Sequence, residues 1–248
     1  MSEPLLEVRD VSVSFGGLQA LVEFECEVQA SEIVGIIGPN GAGKTTLLNA
    51  LSRFVRVNRG ARIRFRGYDL LGCRAHKVPA LGIGRTFQGP ELSSRDTLLD
   101  NVLVGGYLRP RPPWSRRADV RAEADDLLRA FGMERWASLK VTEVPYPIQK
   151  RAQICRAMLA RPRLLLLDEP AAGITAEEKQ QIAEALVQLR QRTGVALFVI
   201  EHDVGFLSSI CQRMIALDFG RKIASGSVSE VVNDPAVRRS YLGESDDD

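Results

Sequence analysis

The chain has 248 residues, 45% hydrophobic and 26% charged, with a formal net charge of +2. That length suits one large domain or two intimately joined ones with a sizeable core, and the near-neutral balance gives no global argument for a nucleic-acid partner or an acidic substrate. The longest apolar runs, such as Val195–Ile200, fall far short of the roughly 18 residues of a membrane span. The N-terminal Met-Ser-Glu-Pro-Leu-Leu-Glu lacks the basic start and apolar stretch of a signal peptide, so the expectation is a cytosolic chain that reaches a membrane only through a partner.

Along the chain, apolar residues alternate with polar ones at Leu6, Val8, Val11, Val13 and Phe15, and again at Leu21, Phe24, Cys26 and Val28. With Gly16-Gly17 between the two runs, the pattern predicts strand, turn and strand. Glu32–Ile37 reads as a short buried strand and Thr46–Leu51 as the start of a helix. Between them, Gly38, Pro39, Asn40, Gly41, Ala42, Gly43, Lys44 and Thr45 spell a complete phosphate-binding loop. A nucleoside triphosphate presents closely spaced anionic oxygens, and glycines let the backbone wrap until several N–H groups face them. The following helix adds the positive end of its dipole, Lys44 reaches the β and γ phosphates, and the Thr45 hydroxyl can ligate Mg²⁺. Residues 38–45, with Thr46 at the helix start, are therefore the expected binding residues for ATP or GTP.

Arg62–Phe65 predicts a further strand, and Val78–Arg85 leads into Thr86-Phe87-Gln88. Gly105–Arg117 is rich in Pro and Arg and reads as an irregular surface connection. Asp119–Phe131 predicts an amphipathic helix, with Val120, Ala124, Leu127, Leu128 and Phe131 on one face. A second helix is expected from about Ile148 to Ala160. Arg163–Glu169 contains four leucines and ends in two acids, which suits a central parallel strand. Thr175–Thr193 predicts a helix in which Thr175 and Glu178 have capping-box spacing and Ile182, Leu186 and Leu189 form the apolar stripe. Ala196–Ile200 predicts a buried strand, Met214–Ser225 a hairpin turning at Phe219-Gly220, and Ser245-Asp-Asp-Asp a solvated acidic tail. Strands alternating with helices around a phosphate loop imply a parallel α/β core, with a mainly helical insertion. Cys26, Cys73, Cys155 and Cys211 show no close pair for a metal or redox motif and read as reduced, buried, small apolar residues.

The chemistry beyond the loop falls on a few residues. Asp168 ends an apolar strand, which suits its carboxylate to the Mg²⁺ shell. Glu169, one residue on, is placed to polarise an attacking water. Phosphoryl transfer needs little covalent chemistry, so positioning that water and neutralising the phosphates carry the rate. His202 follows a buried strand, at the end that opens into the ligand crevice of a parallel sheet, where it can contact the γ phosphate. Gln88 is a neutral polar residue able to reach Mg²⁺ or water, though by itself it reads equally as an ordinary loop residue. His76, in a polar stretch, reads as a surface residue.

The order of phosphate loop, Gln88, Asp168-Glu169-Pro170 and His202 resembles the ATP-binding-cassette ATPases across essentially the whole chain. Finer strings, FGGLQAL at 15–21, GIGRTFQ at 82–88, DEPAAGI at 168–174, IEHD at 200–203 and YLG near the end, resemble the ATPase subunits of importers for branched-chain and related polar amino acids, or urea and amides. That resemblance implies a P-loop NTPase fold with a RecA-like parallel core built from residues 1–88 and 159–248, an N-terminal antiparallel β subdomain, and a helical subdomain at 89–158. It implies ATP and Mg²⁺ as cofactors, with Thr45, Gln88 and Asp168 toward the metal and Glu169, His202 and Gln88 as catalytic residues. Phe15 becomes the aromatic that stacks on adenine, the alternative being a half-buried strand residue. Implied partners are membrane permease subunits on the cytoplasmic face, docked through the Gln88–Asp100 region, a solute-binding protein and a second ATPase.

One motif departs from the family. Where the family has Leu-Ser-x-Gly-Gln or a close variant, this chain has Val144-Pro145-Tyr146-Pro147-Ile148. A signature presents a hydroxyl and backbone N–H groups to the γ phosphate from a helix N-terminus; proline supplies neither. The family's acid or amide after Glu-Pro is Thr175. The chain therefore looks complete in its own half-site and deficient in what it lends across an ATPase dimer. The expectation is an asymmetric heterodimer whose partner has an intact signature. The competing readings are a regulatory subunit that holds ATP without turnover, an exporter ATPase, and a non-transport ATPase of repair or translation, whose coiled coils or tandem cassettes do not fit this length.

Overall fold

The structure, a computed structural model, describes residues 3–89, 91–108 and 117–242. The strands in chain order are β1 (Leu6–Phe15), β2 (Leu18–Val28), β3 (Ile33–Ile37), β4 (Arg62–Phe65), β5 (Tyr68–Asp69), β6 (Ile83–Arg85), β7 (Leu164–Asp168), β8 (Ala196–Ile200), β9 (Arg213–Asp218) and β10 (Arg221–Gly226). The helices are α1 (Lys44–Leu51), α2 (Val78–Leu81), α3 (Leu98–Leu103), α4 (Arg117–Ala130), α5 (Tyr146–Leu159), α6 (Ala176–Thr193), α7 (Val204–Ile210), α8 (Val228–Asn233) and α9 (Pro235–Leu242). They fall into two compact units, Met1–Val78 with Ala196–Asp248, and Pro79–Val195.

In the first unit, β1 pairs antiparallel with β2 and with β4, and β4 with β5. The apolar residues face one another across the first ladder: Leu6 opposite Val28, Val8 opposite Cys26, Val11 opposite Phe24 and Val13 opposite Leu21. The alternation skips a residue between Val8 and Val11, and the register shifts there, with Asp10 at φ 50 and Glu23 at φ 47. An extra residue in a strand would turn its apolar set to the wrong face; the bulge absorbs it and keeps Val11, Val13, Leu21 and Phe24 buried. Strand β3 lies between β8 and β9, parallel to both, and β9 turns at Phe219-Gly220 into antiparallel β10. With neighbours on both edges, β3 is buried at all five residues, which is why it reads as a continuous apolar run.

In the second unit, β6 and β7 are parallel, with Ile83 opposite Leu164 and Arg85 opposite Leu166. Leu164, Leu165, Leu166 and Leu167 have no exposed surface. Helix α5 packs on both strands, and α3 and α4 pack on α5. Val120, Ala124, Leu128 and Phe131 form the buried face of α4, while Leu127 is half-buried. Helix α6 begins as expected: Thr175 Oγ1 accepts the Glu178 N–H and the Glu178 carboxylate accepts the Thr175 N–H, while Gly194 closes the far end in the left-handed conformation.

Several element boundaries differ from expectation. Helix α1 starts at Lys44 instead of Thr46, and α5 at Tyr146 instead of Ile148, because both glycine and proline are tolerated at a helix start. Strand β6 was not anticipated within Val78–Arg85; three residues with a central glycine carry too short a pattern to register. Most of the expected Pro-rich connection, residues 109–116, and the acidic tail lie outside the described residues; Val104–Leu108 is a 3₁₀ turn.

Candidate nucleotide-binding and catalytic residues

Strand β3 delivers the chain to Gly38, and the loop returns it into α1. Gly43 caps that helix at φ 97, and a Cβ there would lie 2.3 Å from Ala20 O; a Cβ on Gly38 would lie 2.3 Å from Leu217 O. Neither position admits a side chain, so the loop backbone runs against β2 and β9. The Gly220 N–H donates to Ala42 O at 3.1 Å, tying the β9–β10 turn to the loop. Lys44 is the first residue of α1 and is buried; its Nζ donates to Gly38 O at 2.6 Å and Pro39 O at 2.9 Å. The ammonium is thus held on two carbonyls of the loop itself. Thr45 is exposed and Thr46 half-buried. The Gly38 N–H donates to the Tyr241 hydroxyl of α9, and burial raises the Tyr241 pKa, keeping the phenol neutral.

In the same unit, β8 runs into Glu201, which is buried, donates its N–H to Ile36 O at 3.3 Å and accepts the His202 N–H on Oε2 at 3.2 Å. The His202 side chain is exposed, and Asp203 caps α7 by accepting the Phe206 N–H at 2.9 Å. Phe15, the last residue of β1, is 51% exposed, more open than a half-buried strand residue and with surface to offer a flat ligand. His76 lies exposed in a 3₁₀ turn, as read from its surroundings.

The second unit brings together Gln88, Asp168 and Glu169. Asp168 is 4% exposed and donates its N–H to Thr86 Oγ1 at 3.3 Å. Its Oδ2 lies 3.8 Å from the Arg85 guanidinium, whose side chain is 7% exposed and also sits 4.7 Å from the Phe87 ring centre. Burial lowers the Arg85 pKa and the Asp168 charge opposes that shift. A carboxylate oxygen is the kind of donor that a hard cation such as Mg²⁺ takes. Glu169 leaves β7 in the left-handed region at φ 49. Gln88 Nε2 donates to its Oε2 at 2.9 Å, and Lys150 Nζ donates to its backbone O at 2.7 Å.

The oxygen donors Thr45, Asp168 and Gln88 suit Mg²⁺ in kind. Among the described residues no group of three or more His, Cys, Asp or Glu could hold a metal alone.

Four contributors escaped sequence reading: Tyr241, Lys150, and the pair Arg85 and Thr86. The last two lie in the string GIGRTFQ, where a cation and a hydroxyl precede Gln88 on a strand beside that of the acid.

The departing segment is built as its residues require. Val144 is buried, Pro145 caps α5 without a side-chain hydrogen bond, and Pro147 sits in the first turn. The N–H groups of Ile148 and Gln149 both donate to Pro145 O, at 3.0 and 3.1 Å. The Gln149 amide turns back to Val141 O and Val144 O.

The chain is similar to known proteins along most of its length. Residues 21–172 match the family model described as ABC transporter, and residues 221–247 match one described as branched-chain amino acid ATP-binding cassette transporter. The chain belongs to the ABC transporter ATPases, the P-loop enzymes that couple ATP hydrolysis to transport. Among its relatives it is 35% identical to the high-affinity branched-chain amino acid transport ATP-binding protein LivG of Salmonella typhimurium, covering 98% of this chain and 100% of that one. It is 34% identical to BraF of Pseudomonas aeruginosa, with the same coverage. An ATP-binding cassette of an ABC transporter solved in its ADP conformation superposes with a TM-score of 0.87 at 26% identity, over 98% of this chain and 100% of that one. The α/β P-loop fold class is thereby established, together with ATP as the nucleotide of the family.

Proposed function

We propose that this chain is the ATP-hydrolysing subunit of an importer for branched-chain amino acids or a related small polar solute, acting as one half of an asymmetric ATPase pair. The observation that carries the substrate class is similarity to LivG and BraF over 98% of the chain, including the C-terminal segment. Lys44 neutralises the β and γ phosphates, Thr45, Gln88 and Asp168 serve Mg²⁺, Glu169 polarises the attacking water, and His202 contacts the γ phosphate. Phe15 carries the adenine. Bound Mg²⁺ supplies neutralisation of charge on the phosphates. Residues 89–158 form the helical subdomain, and the Gln88–Asp100 region docks on the permease.

Among the described residues no helix is long and apolar enough to cross a membrane, so the proposed place is the cytoplasmic face, held there by permease subunits, with a solute-binding protein in the complex. Asymmetry is supported by Pro145 and Pro147, which offer no hydroxyl or N–H at the start of α5. It is supported too by Pseudomonas aeruginosa having two such proteins, BraF and BraG, both similar to this chain, at 34% and 32% identity. The test is uptake of labelled leucine, isoleucine and valine by the complex reconstituted with its permeases and the neighbouring second ATPase. ATP-driven uptake is expected only with both ATPases; equal uptake and hydrolysis with this chain alone would overturn the asymmetric reading.

A further inference from the structure

Helix α5 presents two buried polar side chains one turn apart, Lys150 at 4% and Gln153 at 3% exposure. Residues three apart share a helix face. Both spend their donors on backbone carbonyls of the segments that carry the proposed catalytic pair. Lys150 Nζ donates to Glu169 O at 2.7 Å, and Gln153 Nε2 donates to Gly89 O at 2.9 Å. Gly89 directly follows Gln88, and Gln88 Nε2 in turn reaches Glu169 Oε2 at 2.9 Å. A closed circuit results: α5 holds the chain beside Gln88, α5 holds Glu169, and the two side chains hold each other. Glu169 needs such a hold. Its φ of 49 lies in the left-handed region, which is strained for a non-glycine residue and persists only when its surroundings fix it.

We infer that Lys150 and Gln153 are positioning residues that fix Glu169 and Gln88 from the helix following the degenerate signature, and that this is what α5 retains although Pro145 and Pro147 have replaced its phosphate-facing groups. The inference rests on the reading of Glu169 as the water-polarising carboxylate. The Lys150 ammonium also stands 5.6 Å from the Tyr146 ring centre, so a side chain of the first turn of α5 lies against the clamp. Proline at a helix start fixes φ and removes conformers, so Pro147 stiffens the support of Lys150.

The experiment measures kcat, KM and ATP affinity in the reconstituted complex for Lys150→Met and Gln153→Leu, which keep length and apolar bulk but lose the donors. Misplacing a catalytic group by about 1 Å costs on the order of 10²-fold, so each variant should lose roughly 10- to 100-fold in kcat while ATP affinity stays within about threefold. Lys150→Arg, which keeps a donor, should recover part of the loss. In a Glu169→Gln background, Lys150→Met should change residual hydrolysis by less than about twofold, because the group it positions is gone. If Lys150→Met does not fold, Gln153→Leu and Lys150→Arg are read by the same split between kcat and affinity. An unchanged kcat in the donor-free variants, or a parallel fall in kcat and ATP affinity, overturns the clamp. Undiminished hydrolysis in Glu169→Gln alone overturns the reading of Glu169, a separate result.

Discussion

Two helix starts in this protein have been built from opposite materials. At α1 the residues before Lys44 include three glycines with positive φ, so the backbone bends tightly and runs against its neighbours. At α5 the corresponding places hold Pro145 and Pro147, and the first amides after them, those of Ile148 and Gln149, turn inward onto Pro145 O. Both are stable starts. In the proposed reading only the first receives phosphate, and the second keeps the helix without that chemistry.

The comparison breaks most decisively at Lys44. Lys44→Ala removes the buried ammonium that now spans Gly38 O and Pro39 O and would meet the phosphates. Loss of a preorganised charge donor costs on the order of 10²–10³-fold in turnover. ATPase assays of the complex should show at least that, with weaker nucleotide binding by calorimetry. Wild-type turnover would remove the phosphate-loop assignment.

Next in size is Glu169→Gln, which preserves shape and removes the charge that polarises water. Hydrolysis should fall by roughly 10²-fold or more while ATP remains bound, and the same change in the partner ATPase should cost far less. Equal losses in the two chains would make the pair symmetric and the prolines of α5 irrelevant. Pro145→Ser with Pro147→Gly then sharpens the contrast in the other direction. Its main effect should be faster turnover at the partner's phosphate loop, read in a complex where this chain carries Glu169→Gln. No gain there would mean that more than these two residues separates α5 from an intact signature.

What could be read without coordinates follows from how each element advertises itself. The phosphate loop consists of backbone conformation, and glycine is the residue that permits it, so Gly38–Thr45 was evident. The apolar alternation along β1 was legible, while the bulge at Asp10 that keeps it in phase was not anticipated. Strand β6 was invisible because three residues carry too short a pattern, and the first turn of α5 because its apolar stripe begins only after Pro147. The clamp was less visible still. Lys150 and Gln153 look like surface polar residues, since their partners are carbonyls of Glu169 and Gly89, and a carbonyl leaves no trace in the identity of a residue. Arg85 beside Asp168 hid in the same way, since nothing in its identity names a buried carboxylate as its neighbour.

The smallest effect separates two meanings of Thr175, which stands where the family carries an acid or amide after Glu-Pro. It caps α6: its hydroxyl accepts the Glu178 N–H at 3.3 Å and its N–H donates to Glu178 Oε2 at 2.9 Å. This is a third kind of helix start, closed by a side chain. Thr175→Ala should therefore destabilise the isolated chain by about 1 kcal/mol, a fall in Tm of roughly 2–4 °C at this size. The Thr175 backbone N–H and hydroxyl hold the Glu178 pKa below its ordinary 4.5. A lowered acid pKa contributes stability above the unfolded value and loses it as the pH falls through the folded one. The difference between wild type and Thr175→Ala should accordingly be largest near neutrality and shrink below about pH 4.5, when Glu178 takes up a proton. Thermal melts across that range measure it. If Thr175→Ala leaves the melts unchanged yet slows hydrolysis in the complex, Thr175 acts between the ATPases instead of at the end of its own helix.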